Sequence, residues 1–96
     1  MSNATSATVT ITNKLGLHAR PAMVFVEAAS KYGSAIAVRR CDGGPDAEPV
    51  DGKSIMQMMM LAATKGTMLE ITAQGDDSAD AIAELTQLVE SNFDEE

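Results

Sequence analysis

Short stretches in which apolar residues recur at every second position alternate with stretches in which they recur every third or fourth. That order leaves few folds open. Residues 7–12, Ala-Thr-Val-Thr-Ile-Thr, put Val9 and Ile11 on one side and the threonines on the other, as in a half-buried strand. A loop follows over residues 13–18, and Pro21 suits the first turn of a helix, where its missing N–H costs nothing. Ala22, Phe25, Ala28, Ala29 and Tyr32 recur at helical spacing, and Gly33 offers a left-handed stop. A helix is predicted from Ala19 or Arg20 to Tyr32. Residues 35–40 alternate again, with Ile36 and Val38 inward.

A turn-rich run, Cys41 to Pro49, reads as a long hairpin loop, with a short strand around Glu48 to Val50 that Pro49 confines to a sheet edge. Asp51-Gly52-Lys53 is a turn. Ser54 then stands three residues before Gln57, the spacing of a capping box, and a short apolar helix is predicted from Ile55 to Ala63. Residues 67–73 form the last alternating strand, with Leu69 and Ile71 inward. Asp76 or Asp77 can cap a final helix whose Ala81, Ile82, Leu85, Leu88, Val89 and Phe93 share one stripe. The order is strand, helix, strand, strand, helix, strand, helix. Helices segregated to one face of four strands make an α+β sandwich. With 96 residues and no visible boundary or repeat, the chain reads as a single domain over residues 1–96. Three aromatic residues oblige the core to be aliphatic.

Several function classes fall away. A net charge of −7 sets the chain against nucleic-acid phosphates and anionic lipid, so neither nucleic acid nor membrane is an expected partner. No apolar run approaches the ~20 residues of a membrane span, and Met1 to Ser6 lack the charged start and apolar stretch of a secretion signal. The single cysteine, Cys41, excludes an internal disulfide and fits a reducing, cytoplasmic setting; no motif around it marks a reactive thiol. One histidine and one cysteine are too few for a metal site. No Walker loop or dinucleotide turn is present, so no cofactor is expected and any phosphate must come from another molecule.

His18 is the only histidine, and its context gives it meaning. It lies between a turn at Gly16 and a helix start at Pro21, near the first backbone N–H groups of that helix. Those donors and the helix dipole favour an anion there. Arg20 adds a guanidinium with forked geometry for phosphate. A nucleophilic imidazole in that setting suits reversible phosphorylation of a ring nitrogen.

The segment Gly16-Leu17-His18-Ala19-Arg20-Pro21-Ala22 resembles the active-site signature of HPr, the histidine-containing phosphocarrier family of the bacterial phosphoenolpyruvate:sugar phosphotransferase system. Lys53-Ser54-Ile55-Met56, with Leu61 and Lys65-Gly66 after it, matches a second segment in the same order, and the resemblance spans residues 7–92. It implies an open-faced β-α-β-β-α-β-α sandwich: a four-stranded antiparallel sheet with three helices on one face. It further implies that enzyme I phosphorylates His18 on Nδ1 and that the phosphate passes to a IIA component. Arg20 would stabilise the phosphohistidine, Ala19 and Pro21 would shape the helix start that holds the phosphate, and Leu17, Ile55, Met56 and Met59 would form the docking face. The protein would be a stoichiometric carrier and not an independent enzyme, with a monomer as the default.

Ser54 has two readings. As a helix cap with Gln57 it is explained without further function. In the Gram-positive type of the family, the matching serine is phosphorylated by the ATP-dependent HPr kinase/phosphorylase, and a phosphate at a helix start leaves the fold intact while adding charge beside an apolar surface. Four methionines crowd positions 56–60 and cannot all point inward; Met58 or Met60 is the one expected to be partly buried. Between Ile36 and Val50 the chain departs from the family by a longer, acidic hairpin. A regulatory module acting through phosphorylated Ser54, and a nitrogen-type relay carrier, are the competing readings.

Overall fold

The computed structural model describes residues 4–43 and 48–94. The middle of the long hairpin, residues 44–47, lies outside them. Four strands form one antiparallel sheet: β1 (Ala4–Thr10), β2 (Ala35–Arg40), β3 (Val50–Asp51) and β4 (Met68–Gln74), in the order β1-β4-β2-β3. Three helices complete the open-faced sandwich: α1 (Ala19–Ala29), α2 (Ile55–Met60) and α3 (Ser78–Glu90). No described helix is long and apolar enough to cross a membrane.

Strand alternation sorts the sheet's two faces. Val9, Ile36, Val38, Leu69, Ile71 and Ala73 are buried and meet Phe25, Ala22 and Ala29 of α1, Met58 of α2 and Leu85 and Val89 of α3 in one core that is mostly aliphatic, with Phe25 its largest fully buried side chain. The other face carries small polar side chains and an ion pair in which Arg39 Nε donates to Glu70 Oε1 over 2.7 Å. Its strand partners sit side by side there, since Arg39 pairs with Glu70 in the register of β2 and β4.

The element boundaries depart from the sequence in instructive ways. β1 starts at Ala4, three residues earlier than the alternation suggests, because β4 extends to Gln74 and offers a partner for each added residue. β3 lies at 50–51, so Pro49 precedes the strand and leaves its ladder intact. α1 ends at Ala29, and Gly33 is not left-handed. Its N–H instead donates to Asp77 Oδ2 over 2.8 Å, and Ser34 donates to Asp77 through both its N–H and its hydroxyl. Asp77 occupies the N-cap position of α3 yet makes no side-chain cap there, because its carboxylate is committed to that turn. The stripe of α3 ends at Glu90, and Phe93 reaches the core through two left-handed residues, Asn92 and Phe93, both at φ 58°.

The Ser34 hydroxyl, the Gly33 N–H and the Ser34 N–H hold Asp77 below the ordinary carboxylate value of 3.8. A depressed folded pKa gives stability that is complete above the unfolded value and is lost as pH falls through the folded one. Wild type is therefore expected to melt above Asp77→Asn at pH 7, with the gap closing as pH is taken below about 4. Thermal melts of both proteins from pH 7 to pH 2 check this, and a gap that widens in acid would refute it.

α2 is shorter than its sequence pattern, ending at Met60 where the pattern runs to Ala63. Ala62 adopts φ 51°, a left-handed turn that stops the helix. Arg40 Nη1 donates to the carbonyls of Leu61 and Ala62 (2.9 and 3.2 Å), and the same guanidinium holds Asp42 through Nε and Nη2. A non-glycine residue pays about 1 kcal/mol for this conformation. Ala62→Gly is expected to raise stability by roughly 0.5 kcal/mol, since part of that relief is offset by the freer unfolded chain. Urea unfolding measures the difference, and a loss of stability would contradict the strain.

Candidate functional site: the His18 helix start

His18 is the N-cap residue of α1, with extended backbone at φ −87° and ψ −169°. Its carbonyl accepts from Ala22 N–H over 3.0 Å, the first bond of the helix. The imidazole does not cap its own helix. Nε2 is buried, and the residue as a whole is half-buried. Ala19 and Arg20 open the helix and are exposed. Their N–H groups precede any intrahelical acceptor, and Pro21 has none to offer. Two backbone donors and the positive end of an 11-residue helix thus meet solvent beside the ring. Pro21 itself is buried, and fixes the helix start from below.

The loop carrying His18 is fastened to the segment that follows α2. Leu17 N–H donates to Ala63 O (2.8 Å), Ile11 N–H to Thr67 O (2.9 Å), and Gly66 N–H to Ile11 O (2.7 Å). The buried Asn13 side chain donates through Nδ2 to Gly16 O over 2.7 Å and closes the turn from within. Gly16 sits at φ +72°, and a Cβ there would lie 2.5 Å from Ala63 O. Sequence reasoning marked Gly16 only as a turn and missed Asn13 altogether. An asparagine three residues before a glycine in a loop is a recognisable turn signal.

α2 lies beside α1 and projects its apolar residues unevenly. Met58 is fully buried, the inward residue of the expected pair, whereas Met60 is 76% exposed. Ile55, Met56 and Met59 are all exposed, Met56 at 79%. Leu17, expected with them on the surface, is only 6% exposed and belongs to the core. Its backbone N–H is paired with Ala63 O. The structure thus gathers His18, Ala19 and Arg20 at one helix start, and places Ile55, Met56 and Met59 on the neighbouring helix.

Ser54 caps α2, its Oγ accepting from Gln57 N–H over 3.3 Å. The box is not reciprocal. Gln57 Oε1 accepts from Asp51 N–H, while Ser54 N–H is satisfied by Asp51 O. Lys53 Nζ donates to Tyr32 O at the end of the α1 turn, so the capping loop is anchored to both helices.

An open-faced sandwich with a lone histidine at the N-cap of its first helix is the architecture of a small histidine phosphocarrier. The protein family described as "PTS HPr component phosphorylation site" matches residues 5–91. The chain is 47% identical over 87 residues to the phosphocarrier protein HPr of Pseudomonas aeruginosa, covering 91% of this chain and 92% of that one. It is 39% identical over 89 residues to the phosphocarrier protein NPr of Escherichia coli, covering 93% and 94%. The crystal structure of HPr-C-His from Thermoanaerobacter tengcongensis superposes with a TM-score of 0.84 at 44% identity, covering 96% of this chain and 98% of that one. The chain belongs to the HPr family of phosphocarriers of the phosphotransferase system.

Proposed function

We propose that the chain, working as a single monomeric domain in the cytoplasm, accepts a phosphoryl group from phospho-enzyme I on Nδ1 of His18 and passes it to a IIA component. The observation that carries this reading is the His18 helix start: a ring whose Nε2 is buried, beside two backbone donors that have no acceptor within the helix, and Arg20. Burial of Nε2 supports Nδ1 as the nitrogen that attacks. Its lone pair forms the bond to phosphorus as the bond to the donor breaks, and the same exchange runs onward to the acceptor. Phosphate oxygens would be met by the Ala19 and Arg20 N–H groups and by the Arg20 guanidinium. Hydrogen bonds of this number hold the group without removing its lability as a phosphoramidate. The protein is consumed and regenerated stoichiometrically and is not itself an enzyme.

Ile55, Met56 and Met59 form the docking face in this reading, and Ser54 is a regulatory position for HPr kinase/phosphorylase. A nitrogen-type relay is the second reading, favoured by the similarity to NPr of Escherichia coli.

Incubation with enzyme I, phosphoenolpyruvate and Mg²⁺, followed by intact-mass measurement, tests the carrier chemistry. One acid-labile phosphate is expected, absent from His18→Ala. Failure with both a general bacterial and the cognate enzyme I would remove the carrier reading and leave Ser54 phosphorylation as the chain's chemistry. Supplying nitrogen-type and sugar-type enzyme I in parallel separates the two relays by rate.

A further inference from the structure

Among the described residues five methionines are exposed, and their distribution is uneven. Met56, Met59 and Met60 lie on α2, and Met23 lies three residues beyond Arg20 on α1. Met68 stands apart on the open face of the sheet, next to inward Leu69. At 100° per residue, Met56 and Met60 point directly away from buried Met58. Gln57 holds the β3 flank through its bond to Asp51, so Ile55 and Met59 fall on the opposite flank, toward α1 and His18. Met59 and Ile55 thus flank His18 and Met56 stands on the outward crest next to them, so two of the three docking residues of the carrier reading are thioethers. Leucine would supply equal apolar area without their reactivity.

We propose that Met56 and Met59 are sites of reversible sulfoxidation that govern docking at the His18 face, an inference resting on the carrier reading above. The oxidant is a peroxide. Its O–O bond breaks, one oxygen joins the thioether sulfur, the sulfur loses two electrons, and hydrogen peroxide is reduced to water. Return to the thioether requires two thiols, which become a disulfide as the oxygen leaves in water. A sulfoxide replaces flexible apolar contact with a polar S=O group that must be stripped of water on docking. His18 lies on another helix and its chemistry is untouched. Met58, of the same residue type on the same helix but fully buried, is an internal standard for accessibility.

The test uses the full chain carrying Cys41→Ser, so that no thiol competes. The protein is treated with millimolar hydrogen peroxide, freed of oxidant, mapped by peptide mass and assayed for phosphoryl uptake from phospho-enzyme I. Met56 and Met59 are expected to gain one oxygen each before Met58 does. Uptake should fall about tenfold, recover after methionine sulfoxide reductase, and respond equally in a Met68→Leu background. The Met56→Leu/Met59→Leu protein should keep its own untreated rate after peroxide. Unchanged uptake once both residues carry oxygen overturns the proposal, as does an equal loss in the double leucine variant. Untreated protein that takes no phosphate overturns the carrier reading, and the docking switch with it.

Discussion

Gly16→Ala is expected to destabilise the protein by about 2 to 4 kcal/mol, the largest effect of any single methyl group near the site. Two costs combine. The backbone at φ +72° is left-handed, which costs an alanine about 1 kcal/mol. The added Cβ also meets backbone, 2.5 Å from Ala63 O and 2.8 Å from Thr64 Cα, and backbone cannot rotate aside as a side chain can. Relief requires the His18 loop to move off the segment after α2, breaking the Leu17-to-Ala63 bond. Phosphoryl uptake should therefore fall along with stability. Gly66→Ala provides the comparison, because Gly66 is also left-handed (φ +95°) but has nothing within 4 Å of a new Cβ. It should cost only the backbone share, about 1 kcal/mol. Chemical denaturation of the two variants decides the matter; equal losses would mean the contact with Ala63 is unimportant.

Ser54→Asp should leave the fold as stable as the parent while slowing transfer through His18 by roughly ten- to a hundredfold. Aspartate is as good a helix cap as serine and can accept the same N–H from Gln57. Its charge, however, sits one residue before Ile55 and two before Met56, where a docking partner would have to bury it or stay solvated. Ser54→Ala separates the two roles. It should lose about 1 kcal/mol of stability with the cap but keep near-normal transfer. Transfer by Ser54→Asp at the parent's rate would detach Ser54 from docking and leave it as a cap alone.

The strand and helix order was legible because each element's apolar period is unbroken: Val9 with Ile11, Ile36 with Val38, and Leu69 with Ile71 each mark a buried face that the structure retains. The helix start at Ala19 was legible from Pro21 for the same local reason. What failed depended on partners distant in sequence. Of Asp76 and Asp77, Asp77 does hold the N-cap position, but Ser34 and Gly33, 43 and 44 residues away, take the carboxylate that would have made the cap bond. Leu17 enters the docking face only through the family resemblance; its N–H pairs with Ala63 O, 46 residues on, and its side chain lies in the core. The end of α2 escaped because alanine is the best helix former, and nothing local says that Ala62 is left-handed. Arg40, whose bonds to Leu61 and Ala62 secure that end, stands 21 and 22 residues away in β2. The position of His18 and Arg20 at a helix start could be read because Pro21 and Gly16, which mark it, are neighbours in the chain.

Three backbone-to-backbone bonds, Leu17 to Ala63, Ile11 to Thr67 and Gly66 to Ile11, join the His18 loop and the strand before it to the segment after α2. Such a seam has little dependence on which side chains flank it. The outward residues of α2, the docking face of the proposed carrier, can therefore be exchanged while the histidine keeps its position. Recognition and chemistry are free to evolve at different speeds on one small surface.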